Sequence, residues 1–180
     1  MKMSFRLLTF TTASLAVAAL GFASASAPSA PPPSGGNSGG GSHAAKDALE
    51  VGFYNDGTQM LFKKDWAGAE KQLNAAVAIN PKMAEAHNNL AYVLRKQGAQ
   101  NYEKSLGHYN TAIELKPKLA EAYMYRGALQ VLMGKPDLAK ADYDTLVKLK
   151  SKLAPDLKKI METGKEEEPE QFYGVTKKAK

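Results

Sequence analysis

Two seven-residue stretches 36 residues apart constrain this chain more than any other feature: Pro81-Lys82-Met83-Ala84-Glu85-Ala86-His87 and Pro117-Lys118-Leu119-Ala120-Glu121-Ala122-Tyr123. An amphipathic run precedes each proline, Ala76-Val77-Ala78-Ile79 in one case and Ala112-Ile113-Glu114-Leu115 in the other, so the copy extends beyond the seven positions. Aligning outward from it gives three units, 50–83, 84–119 and 120–153, of 34, 36 and 34 residues, with the two additional residues falling around Gly98-Ala99-Gln100-Asn101. A period of this length is a pair of helices with its turns. One such hairpin cannot bury both of its faces, so the units must stack and the end of the stack must be covered. Residues 154–163 supply a cover: Pro155 sits where a first helical turn tolerates it, and Leu157, Ile160 and Met161 fall on one face.

Side-chain size recurs with the same beat. A large residue stands early in each first helix (Phe53, His87, Tyr123), followed by a pair that ends small in each unit (Asp56-Gly57, Leu90-Ala91, Arg126-Gly127). The second helices carry a small residue, a large one four positions on and a further apolar one: Ala69, Leu73 and Ala76; Ser105, Tyr109 and Ala112; Ala139, Tyr143 and Leu146. Over residues 50–153 this pattern resembles the tetratricopeptide-repeat family, including its unit-ending proline at Pro81 and Pro117, with Ser151 in that place the third time. The resemblance implies an all-α fold, a right-handed superhelical stack of three helix–turn–helix repeats with a short C-terminal capping helix. In that arrangement Gly57, Ala91 and Gly127 are expected to face Ala69, Ser105 and Ala139, their small size letting paired helices approach.

The remainder of the chain is organised differently. Lys2 and Arg6 precede the uncharged run from Leu7 to Leu20, and the small-residue sites Ala23-Ser24-Ala25 and Ala25-Ser26-Ala27 follow. Basic start, apolar middle and small-residue cleavage site describe a secretory signal peptide over 1–27, and the apolar run is short of the roughly 20 residues a membrane span needs. Residues 28–45, rich in Pro, Gly and Ser, read as a disordered linker. The folded domain is expected over 46–163 and a disordered tail over 164–180. The expectation is therefore an exported protein, periplasmic or secreted, of a bacterial envelope, without a stable membrane span once the signal is removed.

Charge and chemistry narrow the function. The net charge of +6 divides into +2 over residues 1–45, +4 over 46–163 and zero in the tail, and the body's lysines alternate with acids along helical segments. A nucleic-acid footprint requires them clustered, so nucleic acid is not an expected partner. With no cysteine, disulfides and thiolate metal sites are excluded. No nucleophile stands in a recognisable setting, no phosphate-binding loop or metal-spaced pair is present, and His87 and His108 fit packing or solvent-facing positions better than ligation. Neither catalytic residues nor a metal nor a cofactor is expected. Glu166-Glu167-Glu168 with Glu170 reads as a solvated acidic end, lacking the alternation and Gly of a calcium loop.

What remains is binding. In the family this chain resembles, the first helices line a groove that receives an extended peptide or a helix. Carried over, the resemblance implies a partner-binding groove of Tyr54, Asn55, Thr58 and Leu61 from the first unit, Asn88, Asn89, Tyr92, Arg95 and Lys96 from the second, and Glu121, Met124, Tyr125 and Ala128 from the third. Tyrosine and asparagine suit an extended backbone, giving contact area at low entropy cost and amides that pair with main-chain groups. The family's co-chaperone carboxylate clamp is not expected: Asn89 matches its amide, but Tyr54, Thr58, Glu121 and Tyr125 occupy its other places. The functional expectation is a non-enzymatic protein-interaction module, with a self-associating scaffold subunit as the alternative.

Overall fold

The structure is a computed structural model describing residues 41–166. The expected signal peptide at 1–27, most of the linker and residues 167–180 of the tail lie outside the described residues. Among those described are seven α-helices: α1 Gly41–Phe62, α2 Trp66–Ile79, α3 Ala84–Lys96, α4 Tyr102–Leu115, α5 Ala120–Leu132, α6 Pro136–Lys148 and α7 Ala154–Thr163. Helix α1 packs on α2, α3 on α4 and α5 on α6, while α2–α3 and α4–α5 contacts join one hairpin to the next and α7 closes against α5 and α6. The architecture is all-α, three hairpins with a capping helix.

Each hairpin turns on a residue in the left-handed region, Lys64 (φ 58°), Gly98 (φ 123°) and Gly134 (φ 69°). Glycine occupies two of these because it alone takes that conformation without a Cβ penalty. The longer middle unit places its additional residues in a single 3-10 turn, Ala99–Asn101, between α3 and α4. Between hairpins, Pro81 and Pro117 lie in tight turns whose carbonyls are put to the same use. Pro81 O accepts from His87 Nε2 at 3.0 Å, and Pro117 O accepts from Tyr123 OH at 3.1 Å. The large early residue of each following helix thus fastens the turn that precedes it, satisfying a carbonyl that no helix can reach.

Small residues do admit close approach, but not always to the expected neighbour. Ala69, Ala91, Ser105 and Ala139 are buried, and Ser105 Oγ donates to Ala91 O at 2.7 Å, so that pair faces as expected. A Cβ added at Gly57 would instead lie 2.7 Å from Leu73 Cγ, and one at Gly127 would lie 2.6 Å from Leu157 Cδ2 of the capping helix. Gly127 therefore makes room for the cap rather than for Ala139. The reason is volume: Leu157 is fully buried, and burying a leucine side chain contributes about 1.5–3 kcal/mol.

Two further boundaries differ from expectation. Helix α1 begins at Gly41, so residues 41–45, assigned to the linker, are helical. Ala44 and Ala45 are strong helix formers, and extending an existing helix adds a hydrogen bond for each residue ordered. At the other end, Gly164 takes a left-handed conformation (φ 67°) and its N–H bonds to Ile160 O at 2.8 Å. This capping turn redirects the chain from α7, so that Glu166, assigned to a disordered tail, meets the end of α3.

Candidate functional site

Helices α1 and α5 each touch α3, which makes the first helix of the middle unit the centre of a shared face. Residues Asn88, Tyr92, Arg95 and Lys96 follow at helical spacing along α3. Tyr54 and Thr58 come from α1 and Tyr125 from α5. Of the thirteen residues expected to line the groove, Asn55 is exposed and Lys96 and Glu121 are half-buried; the other ten are buried, the aliphatic Leu61, Met124 and Ala128 together with seven polar or aromatic residues.

Those seven divide into two groups with different chemistry. Thr58 Oγ1 donates to Tyr54 O at 2.8 Å, and Asn89 Nδ2 donates to Thr58 Oγ1 at 3.1 Å and to Tyr54 OH at 3.3 Å. Asn88 Nδ2 in turn donates to Asn89 Oδ1 at 3.2 Å. Burial, foremost, pushes the Tyr54 phenol up to about 12, so it stays protonated. Tyr54, Thr58 and Asn89 thus spend their polar groups on the α1–α3 seam, and of this group Asn88 Oδ1 has no partner among the described residues.

The second group surrounds Arg95. The Tyr92 and Tyr125 rings meet edge to face with centroids 5.1 Å apart. The Arg95 guanidinium lies 5.1 Å from the Tyr92 centroid and 5.7 Å from that of Tyr125, while Lys96 Nζ lies 5.2 Å from Tyr92. Cations on ring faces at such distances are attracted by the ring quadrupole. Trp66 of α2 backs the cluster, its ring 6.3 Å from that of Tyr92. Both cations sit in the last turn of α3, where the helix dipole favours positive charge.

Glu166 completes the arrangement. Arg95 Nη2 donates to Glu166 Oε1 at 2.7 Å and Lys96 Nζ to Glu166 Oε2 at 3.2 Å. The Arg95 side chain is 1% exposed and that of Glu166 12%, so this is a buried ion pair. Burial alone would raise the Glu166 carboxyl, but Arg95 and then Lys96 outweigh it and hold it below the usual carboxylate range. Arg95 is nevertheless under-used: its Nε and Nη1 and the Tyr125 hydroxyl are buried without well-formed hydrogen bonds among the described residues, and the Tyr109 hydroxyl lies beside Arg95 and Ser105 without closing one of good geometry. Burial, the largest influence, raises both of those phenols well beyond their ordinary range, leaving them neutral donors.

Sequence reasoning placed Tyr92, Arg95, Lys96 and Tyr125 on one face but missed Tyr109, Trp66 and Glu166. Tyr109 stands in the sequence only as the large second-helix residue of the repeat pattern, and Glu166 is 71 positions from Arg95 with no local pattern linking them. The histidines also meet unexpectedly. His87 Nδ1 and His108 Nδ1 lie 3.0 Å apart. Because His87 Nε2 must donate to the Pro81 carbonyl, the neutral pair has His108 Nδ1–H donating to His87 Nδ1. Burial, then the neighbouring His87, lowers the His108 pKa. Among the described residues no group of three or more His, Cys, Asp or Glu is placed to hold a metal ion, and no helix is long and apolar enough to cross a membrane.

A sequence profile of the TPR repeat family matches residues 99–134, from the 3-10 turn through α5. Among curated proteins, tetratricopeptide repeat protein 36 of Xenopus tropicalis is 33% identical over 103 residues, covering 55% of this chain and 50% of the relative. Human serine/threonine-protein phosphatase 5 is 36% identical over 89 residues, covering 48% of this chain but 17% of the phosphatase. The chain thus matches half the length of the first relative and a far smaller part of the second. Among solved structures, the Arabidopsis OM64 TPR domain superposes with a TM-score of 0.59 at 19% identity, covering 67% of this chain and 99% of that domain. The TPR2B domain of yeast Sti1, solved as a complex with pHsp70, gives 0.60 at 19% identity, covering 64% and 94%. At such identities these structures establish a shared fold.

Proposed function

We propose that this tetratricopeptide-repeat protein is a non-enzymatic interaction module that grips a segment of a partner protein on the face shared by α1, α3 and α5. The observation carrying the proposal is the Arg95 cluster. A buried, always-charged guanidinium is flanked by two tyrosine rings and has Nε and Nη1 without partners among the described residues. A buried polar group without a partner costs about 1–3 kcal/mol, so a fold that retains several together gains by supplying them with an incoming chain. Tyrosine and arginine are also the residues enriched where partners bind most strongly. Solved relatives of the same fold are described as bound to chaperone peptides, HSP90 SRMEEVD and HSP70 SGPTIEEVD, and support reading this face as peptide-binding.

The reading is tested on a peptide array probed with the full chain. Arg95→Met and Tyr92→Ala should each remove most of the captured signal while the thermal melt remains cooperative. Lys140→Ala, on the exposed surface of α6, should leave capture unchanged. Equal loss from Lys140→Ala, or capture indifferent to Arg95, would overturn the assignment of the binding face. The setting we propose is a bacterial envelope, on the strength of the signal-peptide pattern at 1–27. N-terminal sequencing of the protein from a periplasmic fraction checks it: a start near Ser26 or Pro28 is expected, and a start at Met1 in the cytoplasm defeats it.

A further inference from the structure

We infer that Glu166 is the resident occupant of the Arg95 pocket, and that a partner binds there by presenting an acidic segment that displaces it. The inference rests on the binding face proposed above and names both the partner chemistry and the means of control.

Three observations converge. The pocket selects an anion: Arg95 and Lys96 both donate to Glu166, and no carboxylate of the repeat helices is paired with either among the described residues. Its guanidinium is not saturated by that one carboxylate, because Arg95 Nε and Nη1 and the Tyr125 hydroxyl have no hydrogen-bond partners among the described residues while Nη2 alone holds Glu166. And the chain carries the matching ligand in cis: Glu166 itself, brought to α3 after the left-handed turn at Gly164. The tether is short, so the local concentration of this carboxylate is on the order of millimolar or above. An external acidic segment of equal intrinsic affinity must therefore outcompete it, and the apparent affinity falls by the fraction of molecules whose pocket is free.

The probe is a fluorescein-labelled peptide of residues 164–173, titrated against the full chain and read by anisotropy. Glu166→Gln in the protein should tighten peptide binding by about tenfold over the unaltered chain, as an occupied pocket is freed. Replacing the glutamate corresponding to Glu166 within the peptide should abolish that gain, a control independent of the protein's folding. Arg95→Met added to the Glu166→Gln protein should also abolish it. In parallel, tryptic cleavage after Lys165 should be slow in the unaltered chain and about tenfold faster in Arg95→Met, which leaves the sequence at the cleaved bond unchanged. Equal peptide affinity with and without Glu166→Gln, no binding to either, or binding unaffected by loss of the peptide's glutamate would each overturn the inference. Sedimentation separates the remaining occupant: a dimer that Glu166→Gln converts to monomer would place the segment on a second copy and overturn its assignment in cis. If the segment proves irrelevant while Arg95→Met still removes array capture, the interaction module stands and only its resident occupant is lost.

Discussion

Two arginines in this chain, both engaged with a buried carboxylate, are satisfied in different ways. Arg126 of α5 donates from Nε to Asp142 Oδ2 at 3.0 Å and from Nη2 to Asp142 Oδ1 at 2.6 Å, while Nη1 reaches Asn110 Oδ1 at 2.8 Å. Each of its nitrogens has a partner, and the partners belong to α6 and α4, so the guanidinium stitches two hairpins together. Arg95 of α3 uses one nitrogen on Glu166 and leaves two without partners among the described residues. Its carboxylate comes from beyond the capping helix rather than from the repeats. A fork matched bidentately by its own scaffold is saturated and structural. One held half-matched between aromatic rings has donors to spend on something else.

The difference is broken most sharply by removing each arginine in turn. Arg126→Met leaves Asp142, 2% exposed, buried without its counter-charge, and should cost about 3–5 kcal/mol in a denaturant or thermal melt. Arg95→Met should cost less, because Lys96 still pairs the Glu166 carboxylate and that carboxylate lies beyond the end of α7, where it can turn out to water, whereas Asp142 is fixed within α6. Comparable losses from the two variants would end the distinction between a structural and a functional arginine.

A smaller effect sharpens it by geometry. Gly57→Leu and Gly127→Leu each force a side chain against a leucine already in contact distance of a Cβ, and overpacking of this kind costs about 1–3 kcal/mol. The two should be similar in a melt but not in their consequences for Glu166. Gly127→Leu pushes on Leu157 and hence on α7, which carries the turn at Gly164, so it should also speed tryptic cleavage after Lys165. Gly57→Leu disturbs the α1–α2 hairpin and should leave that cleavage unchanged. Acceleration by both would mean that the segment responds to general loosening rather than to the position of the cap.

The same comparison marks how far the sequence could be read. Helix pairing was legible because the size pattern around Gly57, Ala91 and Gly127 is periodic, and periodicity survives in one dimension. The face bearing Tyr92, Arg95 and Lys96 was legible for the same reason, through helical spacing along a single element. What sequence reasoning missed are contacts between elements that no period relates. Gly127 accommodates Leu157 of a cap that is not a repeat, so alignment with Gly57 could not identify its neighbour. Tyr54, Thr58 and Asn89 look like a binding set, yet they bond to one another across the α1–α3 seam, a distinction set by side-chain directions. Glu166 reads locally as one solvated acid among several; only the left-handed turn at Gly164 carries it to Arg95.

Proton binding offers the gentlest test, because the two carboxylates are displaced in opposite directions. Burial raises the Asp142 carboxyl, and Arg126 offsets that only in part. For Glu166, burial is outweighed by Arg95 and Lys96, and the carboxyl is lowered. A carboxyl lowered by folding contributes stability that is present above its unfolded value, about 4.3 for glutamate, and is lost as pH falls through the folded value. One raised by folding contributes stability below its unfolded value, about 3.9 for aspartate, and loses it as pH rises through the folded value. Acidification should therefore release the Glu166 segment while favouring the neutral form of Asp142 inside its hairpin. Carboxyl carbon shifts followed by NMR through this range should show Asp142 titrating above free aspartate and Glu166 below free glutamate. Glu166→Gln should abolish the acid-induced change in the Arg95 guanidinium signals, and Arg95→Met should return Glu166 toward the ordinary glutamate range. A Glu166 that titrates as free glutamate does in the unaltered chain would mean that Arg95 does not hold it in solution, and the asymmetry between the two arginines would then lie in packing alone.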